Sequence, residues 1–381
     1  MTVTHIPRLL DLAVLLERKS FFLFGPRATG KSYLIRTQLE GARVFNLLDS
    51  GTLRDLSKRP ELIGERMLPG DTLVVIDEIQ RLPDLLNEAH RLIEERGTRF
   101  LLTGSSAKKL RSSAVNLLAG RAREAQLFSL IWREHERASL NEMLLYGGLP
   151  SVVLSAEPWE ELDAYTGTYL ESEIRAEAAV RNIGLFATFL DICATKVAEE
   201  INYQSIANDL GVSPPTVANY FQLLEDTLVG MRLAPYSKTT KRKSTSRPKF
   251  YLFDLGVTSA LLRRREIAES TQAFGDAFEH FIALELRAYL AYTRKRERLT
   301  FWRSQSGFEV DFLLGDTVAI DVKSEVRASS DSMRGLRALD EEGIFQRLIL
   351  VCREEAFRRV DGIEVVPWRD FLGNLWRGLY L

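Results

Sequence analysis

Cysteine and histidine are scarce in this chain, and long apolar runs are absent. The 381 residues include two cysteines and four histidines. Cys193 and Cys352 stand far apart without a C-x-x-C spacing, which argues against a disulfide framework and against a zinc site. No apolar run approaches the ~20 residues that a membrane span needs, and the first residues lack a secretory signal pattern. We therefore expect a soluble protein of the reducing cytoplasm without membrane association.

The chain also lacks a net charge of either sign. Its 51 lysines and arginines nearly balance 52 aspartates and glutamates, which gives a formal net charge of −1. The global basic field that favours nucleic-acid binding is therefore missing, and only local clusters could carry such a function. The length and the 45% hydrophobic content predict two or three domains with ample cores.

The most informative stretch is Phe21–Tyr33, FFLFGPRATGKSY, where an apolar run stops at a glycine and continues into a lysine-bearing helix. It fits the spacing G-x-x-x-x-G-K-[ST] of a phosphate-binding loop. The glycines let backbone N–H groups close around phosphate oxygens, the lysine reaches the β and γ phosphates, and the serine hydroxyl is a ligand for Mg²⁺. The predicted ATP-binding residues of this loop are Gly25, Pro26, Arg27, Ala28, Thr29, Gly30, Lys31 and Ser32.

A second apolar run, Thr72–Glu78, ends in two carboxylates, as expected where a buried parallel strand reaches its carboxyl end. Asp77 is predicted to hold Mg²⁺, directly or through water, and Glu78 to orient the attacking water as general base. Two carboxylates at a helix start can also be an ordinary cap. The phosphate loop upstream favours the catalytic interpretation.

Three more residues are candidates for contact with the γ-phosphate. Ser105 follows the predicted strand Arg99–Thr103 and could sense this phosphate, although a serine in this place could equally cap the next helix. Arg121 and Arg123 follow a glycine. Arginine can stabilise the negative charge on a phosphate group that is being transferred, because its planar guanidinium is always ionised. One of them could reach the nucleotide of a neighbouring subunit. The ordinary alternative is a solvated surface arginine.

These motifs, together with LLTGSSA, LLAGRAREAQLFSL and MLLYGGLP, resemble the AAA+-type P-loop ATPases that carry a C-terminal half of unknown function. The resemblance implies an α/β domain with a parallel sheet and a helical lid after about Tyr146. It also implies assembly into a ring, expected as a hexamer, with the nucleotide at subunit boundaries. It makes Arg121 the favoured arginine acting in trans and Arg123 the second candidate. The cofactors that it implies are ATP and Mg²⁺.

The segment Tyr203–Val229 has the spacing of a helix-turn-helix. Its second helix is predicted to present Thr216, Asn219 and Tyr220 outward. DNA is the partner that we expect there. A protein partner is the alternative, because such modules also serve as protein scaffolds.

A basic stretch between Arg232 and Lys249 contains no acidic residue. Next to a helix-turn-helix it resembles the wing of a winged helix, which would track phosphates. A solvated charge run is the alternative. The predicted DNA contacts in the two segments are Thr216, Asn219, Lys241, Arg242 and Lys243.

The last segment has the predicted order α-β-β-β-α-β from Gln272 onward, and its FGDAFEH, GFEVDF and AIDVKS stretches resemble the core of restriction-endonuclease-like nucleases. The resemblance places Glu279, Asp311 and Asp321 around Mg²⁺, with the Lys323 ammonium activating water or neutralising phosphate. The structural alternative is a closed ion network of these four residues that needs no metal.

The predicted organisation is an ATPase domain over 1–140, a helical lid over 141–200, a winged helix-turn-helix over 201–250 and a restriction-endonuclease-like domain over 251–381. The predicted function is a ring-forming ATPase that couples Mg-ATP hydrolysis to DNA binding and remodelling. Two alternatives stay open: an ATP-dependent nuclease, and a nucleotide-gated switch that binds partner proteins.

Overall fold

A computed structural model describes residues 6–105, 118–170 and 182–381. Up to residue 170 its helices and strands are α1 (Leu12–Leu16), β1 (Ser20–Phe24), α2 (Lys31–Gln38), β2 (Arg43–Asn46), α3 (Ser50–Lys58), α4 (Leu62–Glu65), β3 (Leu73–Asp77), α5 (Leu85–Arg96), β4 (Arg99–Gly104), β5 (Ala122–Gln126), α6 (Leu140–Tyr146), α7 (Pro150–Val153) and α8 (Pro158–Ala164).

The second half contains α9 (Ile183–Thr195), α10 (Tyr203–Leu210), α11 (Pro214–Asp226), β6 (Gly230–Pro235), β7 (Lys249–Leu252), α12 (Leu255–Leu261), α13 (Gln272–Tyr292), β8 (Leu299–Arg303), β9 (Glu309–Leu314), β10 (Val318–Val322), α14 (Arg334–Asp340), β11 (Arg347–Cys352), β12 (Arg358–Val360), β13 (Ile363–Pro367) and α15 (Trp368–Trp376). Within the predicted lid, residues 171–181 lie outside the described part of the chain.

The N-terminal sheet has five parallel strands in the order β2-β3-β4-β1-β5, which confirms the predicted parallel α/β core. β1 is buried along its whole length, as expected for a strand covered on both faces. Phe22 and Phe24 belong to one apolar cluster, whereas Phe21 and Leu23 belong to another. The carboxyl ends of β1, β3 and β4 consequently meet at one edge of the sheet.

The glycine pair in the MLLYGGLP stretch allows two close backbone contacts. Gly147 has φ +69°, and a Cβ there would lie 2.2 Å from Asp254 Oδ1. At Gly148 a Cβ would lie 2.3 Å from the carbonyl oxygen of Leu130. The Gly148 N–H donates to the buried Asp254 carboxylate at 3.0 Å, so this turn fastens α6 to the chain before α12.

The second sheet has eight strands in the order β12-β13-β11-β10-β9-β8-β6-β7. β6 pairs antiparallel with β7 and parallel with β8, so the two strands of the predicted wing belong to the C-terminal sheet. This corrects the predicted domain boundary between residues 250 and 251, which falls inside β7. The pairing of Ala234 with Thr300 is a contact between distant parts of the chain that local sequence patterns do not encode.

The 21-residue helix α13 connects the two sheets. Its length corresponds to about 30 Å. The Thr271 side chain accepts from the Phe274 N–H at 3.2 Å and caps its start. Near its start the helix carries Glu279, and at its end the Tyr292 hydroxyl accepts from the Phe128 N–H, just after β5, at 3.2 Å. One rigid element therefore reaches from the C-terminal sheet to the N-terminal one.

Candidate functional site

The loop between β1 and α2 has the geometry of a phosphate cradle. Gly30 has φ +93°, a backbone conformation that a side chain would strain. A Cβ at Gly25 would lie 2.5 Å from the Leu127 carbonyl oxygen, which explains the glycine there by close approach. The Thr29 hydroxyl donates to the Pro26 carbonyl at 2.9 Å and holds the loop closed.

Lys31 and Ser32 begin α2 directly behind this loop. The Lys31 ammonium is buried and donates to the carbonyl oxygens of Gly25 at 2.6 Å and Pro26 at 3.0 Å. The Ser32 hydroxyl donates to Asp77 Oδ2 at 2.9 Å, across the sheet edge. A hydroxyl and a carboxylate side by side fit the oxygen ligands that Mg²⁺ takes beside nucleotide phosphates. The structure thus brings together the two residues predicted as its ligands, and the metal itself remains a prediction.

The Thr103 hydroxyl links the Asp77 carboxylate, at the end of β3, to the backbone of Glu78. It donates to Asp77 Oδ1 and accepts from the Glu78 N–H at 3.1 Å. Glu78 has φ 62° and ψ 46°, an uncommon conformation for a residue other than glycine. Thr103 therefore fixes both the carboxylate of Asp77, the predicted Mg²⁺ ligand, and the strained backbone of Glu78, the predicted base. Sequence analysis missed it, although its place at the end of β4 is a usable signal.

Gln80 connects Glu78 with Ser105. Its side-chain nitrogen donates to Glu78 Oε2 and lies 3.3 Å from Ser105 Oγ. Ser105 is buried at the carboxyl end of β4, so its predicted position beside the phosphate loop agrees with the structure. Its role as phosphate sensor remains a prediction. Gln80 itself was missed, since a glutamine on a short turn carries no recognised motif.

Arg8 bonds to the backbone of the phosphate loop and to the backbone of the segment after β5. Its guanidinium donates to the carbonyl oxygens of Thr29 at 2.7 Å and Phe128 at 2.6 Å, and it lies 3.0 Å from the Glu134 carboxylate. One of its nitrogens also lies 3.4 Å from the Tyr292 hydroxyl at the end of α13. The loop is therefore attached to the segment after β5 and to the C-terminal half by one arginine, which sequence analysis did not single out.

An apolar cavity opens beside the start of α2. It measures about 200 Å³ and contains Gly30 and Tyr33 from the loop and its helix. Its other lining residues are Ile6, Arg8, Leu130, Pro150, Ser151 and Leu154. The cavity lies next to the phosphate loop and is closed on one side by α7, which follows the Gly147-Gly148 turn.

Arg121 lies at the amino-terminal end of the sheet strands, whereas the phosphate loop lies at their carboxyl end. β5 runs parallel to β1, with Ala122 opposite Ser20 and Gln126 opposite Phe24, so Arg121 lies at the amino-terminal end. Its guanidinium pairs with the Glu94 carboxylate. Arg123 is exposed within β5. Neither arginine is brought to Glu78 within one chain, and their action on a neighbouring subunit's nucleotide remains a prediction.

The helix-turn-helix consists of α10 and α11. The Thr216 hydroxyl lies 2.9 Å from the Ser213 hydroxyl, and Asn219 is exposed. The prediction that Tyr220 faces outward is wrong, because its ring packs against Phe186 and Phe189, each with a centroid separation of 5.1 Å. The DNA contacts predicted for Thr216 and Asn219 remain predictions.

The basic segment is fastened to the C-terminal domain. The Glu342 carboxylate accepts from the backbone N–H groups of Thr240, Lys241 and Arg242 at 2.8, 3.0 and 2.9 Å. The Lys241 ammonium donates to a carbonyl oxygen just after α14, and the Arg242 guanidinium pairs with Glu341 at 2.8 Å. The segment is therefore ordered against the C-terminal domain, because its backbone donors and side chains are engaged. Lys243 is exposed.

The residues of the predicted nuclease-like site converge, but around a lysine that was assigned to the wing. The Lys249 ammonium lies 3.0 Å from Glu279 Oε1, 2.6 Å from Glu309 Oε1 and 3.7 Å from Asp311 Oδ1. The Tyr251 hydroxyl also donates to Glu279, at 2.7 Å. Within 6–105, 118–170 and 182–381, no three histidine, cysteine or acidic side chains are grouped as a metal-binding set. The metal-binding role predicted for these carboxylates therefore has no support from this geometry.

A second ammonium completes the cluster. Lys323 Nζ lies 2.8 Å from Asp321 Oδ1 and 3.6 Å from Asp311 Oδ2. Burial and the Asp311 carboxylate raise the pKa of Glu279 to about 7. Burial alone would raise the pKa of Asp311, but the ammonium groups of Lys323 and Lys249 hold it below its usual range. Two lysines thus offset part of the negative charge of the cluster.

Comparison with known proteins divides the chain into three parts. Residues 17–136 match the family described as AAA domain, and residues 137–267 and 274–371 match two domains of unknown function, DUF8612 and DUF4143. An uncharacterized protein of Mycobacterium tuberculosis is 28% identical over 91% of this chain and 79% of its own length. One of Haemophilus influenzae is 23% identical over 91% of this chain and 92% of its own length.

Among solved structures, the Walker-type ATPase of Pyrococcus abyssi is similar, with 16% identity and a TM-score of 0.44 over 66% of this chain and 94% of that one. None of the helices in the described residues is both long and apolar enough to cross a membrane. The AAA match covers the segment that carries the phosphate loop, Asp77, Glu78 and Ser105. The N-terminal part of this chain is therefore similar to the AAA domain family.

Proposed function

We propose that the chain hydrolyses Mg-bound ATP at the edge formed by β1, β3 and β4, and couples this reaction to DNA binding by its second half. The observation that carries the ATPase part is the contact of the Ser32 hydroxyl with the Asp77 carboxylate at 2.9 Å. Glu78 is the residue that follows Asp77. When bound, Mg²⁺ would neutralise charge on the β and γ phosphates, and Ser32 Oγ and an Asp77 oxygen are the ligands that the chain would supply.

The side chains of the loop have separate tasks in this proposal. The Lys31 ammonium exchanges its bonds to the Gly25 and Pro26 carbonyl oxygens for bonds to phosphate oxygens, which carry more negative charge. The Glu78 carboxylate accepts a proton from the attacking water. The Ser105 hydroxyl, which is joined to Glu78 through Gln80, would report whether the γ-phosphate is present.

The apolar cavity beside Gly30 and Tyr33 is where we place the adenine base. Its size of about 200 Å³ and its mostly apolar walls suit a flat ring system, and its proximity to the loop suits a base attached to the bound phosphates. Arg8 lines both this cavity and the back of the loop, so it would align the two parts of the nucleotide site.

The DNA-coupling part is supported by the helix-turn-helix and by basic side chains beside it. Asn219 is exposed on α11, and Lys243 and Arg247 are exposed on the ordered basic segment. Within the described ranges neither Lys243 nor Arg247 forms an ion pair, so both charges remain available for phosphate groups. In the same proposal the subunits form a ring in which Arg121 completes the neighbouring nucleotide site.

Steady-state phosphate release tests both parts of the proposal. The full chain is expected to hydrolyse ATP only with Mg²⁺, and duplex DNA is expected to raise the rate, less so as salt increases. Lys31→Ala is the control for contaminating ATPases. The absence of Mg²⁺-dependent hydrolysis contradicts the ATPase part, and a rate that no DNA structure changes contradicts the coupling.

A further inference from the structure

The ammonium of Lys249 occupies the centre of the C-terminal carboxylate cluster. Lys249 is 2% exposed, and its nitrogen lies within 4 Å of three carboxylates, at 3.0 Å from Glu279, 2.6 Å from Glu309 and 3.7 Å from Asp311. It also lies 5.4 Å from the centre of the Phe301 ring. A buried ammonium surrounded by carboxylates in this way is a fixed internal cation.

The carboxylates that the nuclease resemblance assigns to a metal all have a lysine partner. Glu279 and Asp311 lie against Lys249, and Asp321 lies 2.8 Å from Lys323. On the solvent side, Arg303 approaches Glu309 at 3.5 Å and Glu200 at 3.4 Å. A divalent metal would need the same carboxylate oxygens at much shorter distances, in a space that Lys249 already fills with positive charge.

We propose that Lys249 takes the place of a divalent cation. The cluster then connects β7, α13 and β9 through the Lys249 ammonium and does not bind metal. The position of Lys249 in the sequence supports this role. It begins β7, the strand that follows the ordered basic segment and forms one edge of the eight-stranded sheet. Its bonds to α13 and β9 fasten that edge strand to the C-terminal core.

Titration of the full chain with Mn²⁺ tests the proposal. All variants carry Asp77→Asn and are studied without nucleotide, so that the nucleotide site contributes no binding. The chain with Lys249 is expected to show no saturable heat at millimolar Mn²⁺. Lys249→Met removes the ammonium but keeps most of the side-chain volume. This variant is expected to bind one Mn²⁺ with saturable heat, at least about tenfold more tightly than any weak binding by the chain with Lys249, because the carboxylates lose their internal cation.

Two further variants decide the origin of that binding. Adding Asp311→Asn to Lys249→Met is expected to abolish the new site, whereas Lys249→Arg keeps a positive charge and is expected to bind no Mn²⁺. Saturable Mn²⁺ binding by the chain with Lys249, lost on Asp311→Asn, overturns the proposal. A folded Lys249→Met chain that gains no site also overturns it. If circular dichroism shows that Lys249→Met is unfolded, the comparison of the Lys249 chain with Asp311→Asn still gives the decision.

Discussion

At the scale of single residues, the proposed nucleotide site depends on two hydrogen bonds of Thr103. Its hydroxyl donates to Asp77 and accepts from the Glu78 N–H, and the side chain is fully buried. The Asp77 carboxylate is buried, and a buried polar group that loses its hydrogen-bond partner keeps its full desolvation cost. One hydroxyl thus holds both the Asp77 carboxylate and the strained backbone of Glu78 in place.

Replacing this hydroxyl by a methyl group tests that role. Thr103→Val is expected to lower the free energy of unfolding by about 1–3 kcal/mol in urea denaturation, because the buried Asp77 carboxylate loses a donor and the Glu78 N–H loses its acceptor. It is also expected to reduce turnover of ATP. Thr37→Val is the matched control, since the Thr37 hydroxyl bonds only to carbonyl oxygens of its own helix. Equal effects of the two variants would remove Thr103 from the account.

At the scale of elements, the basic segment is ordered on the C-terminal domain and has two kinds of basic residue. Lys241 and Arg242 bond to the end of α14 and its following residues, whereas Lys243 and Arg247 project from the surface. The sequence marks all of them as basic. Only the structure separates charges that are used for packing from charges that are available to phosphates.

This separation predicts different outcomes for two double variants. Lys243→Gln with Arg247→Gln is expected to weaken binding to all duplexes alike and to reduce the slope of log K against log salt by about 2, one unit for each lost phosphate contact. Lys241→Gln with Arg242→Gln is expected mainly to lower stability. Fluorescence anisotropy at several salt concentrations measures the slope, and Arg59→Gln is a control for an exposed arginine outside the segment. An unchanged slope contradicts the proposed DNA contact.

The elements also show where prediction from the sequence succeeds and fails. The phosphate loop and the strand ending at Asp77 were predictable because each is a local pattern, and parallel strands bring such patterns to one edge. The partners that complete the sites were not predictable. Arg8 reaches Thr29 and Phe128, and Lys249 reaches Glu279 and Glu309, by contacts between distant segments. The fusion of the wing strands with the C-terminal sheet has the same cause.

At the scale of the whole molecule, our proposal needs an arginine that lies away from the phosphate loop within the described part of one chain. Arg121 lies at the amino-terminal end of β5, whereas the phosphate loop follows the carboxyl end of the neighbouring strand β1. In our proposal this arginine acts on the transferring phosphate of a neighbouring subunit. The C-terminal half is in turn connected to the loop through Tyr292 and Arg8.

Mixing inactive subunits tests the shared site. Arg121→Ala and Lys31→Ala chains are each expected to be inactive, and their mixture is expected to recover part of the activity, because an interface can combine the intact loop of one with the arginine of the other. Arg121→Ala mixed with the Lys31→Ala/Arg121→Ala double variant should recover nothing. If the first mixture assembles but remains inactive, the trans assignment to Arg121 fails and Arg123 is the next candidate.

The most direct test of the central claim, ATP hydrolysis directed by Glu78, compares ATP binding with single-turnover hydrolysis. Glu78→Gln keeps the shape of the side chain and removes the base, so it is expected to bind ATP as the parent chain does and to hydrolyse it about 10²–10⁴-fold more slowly. Lys31→Ala is expected to lose ATP binding instead. A Glu78→Gln chain that hydrolyses bound ATP at the parent rate would contradict the account.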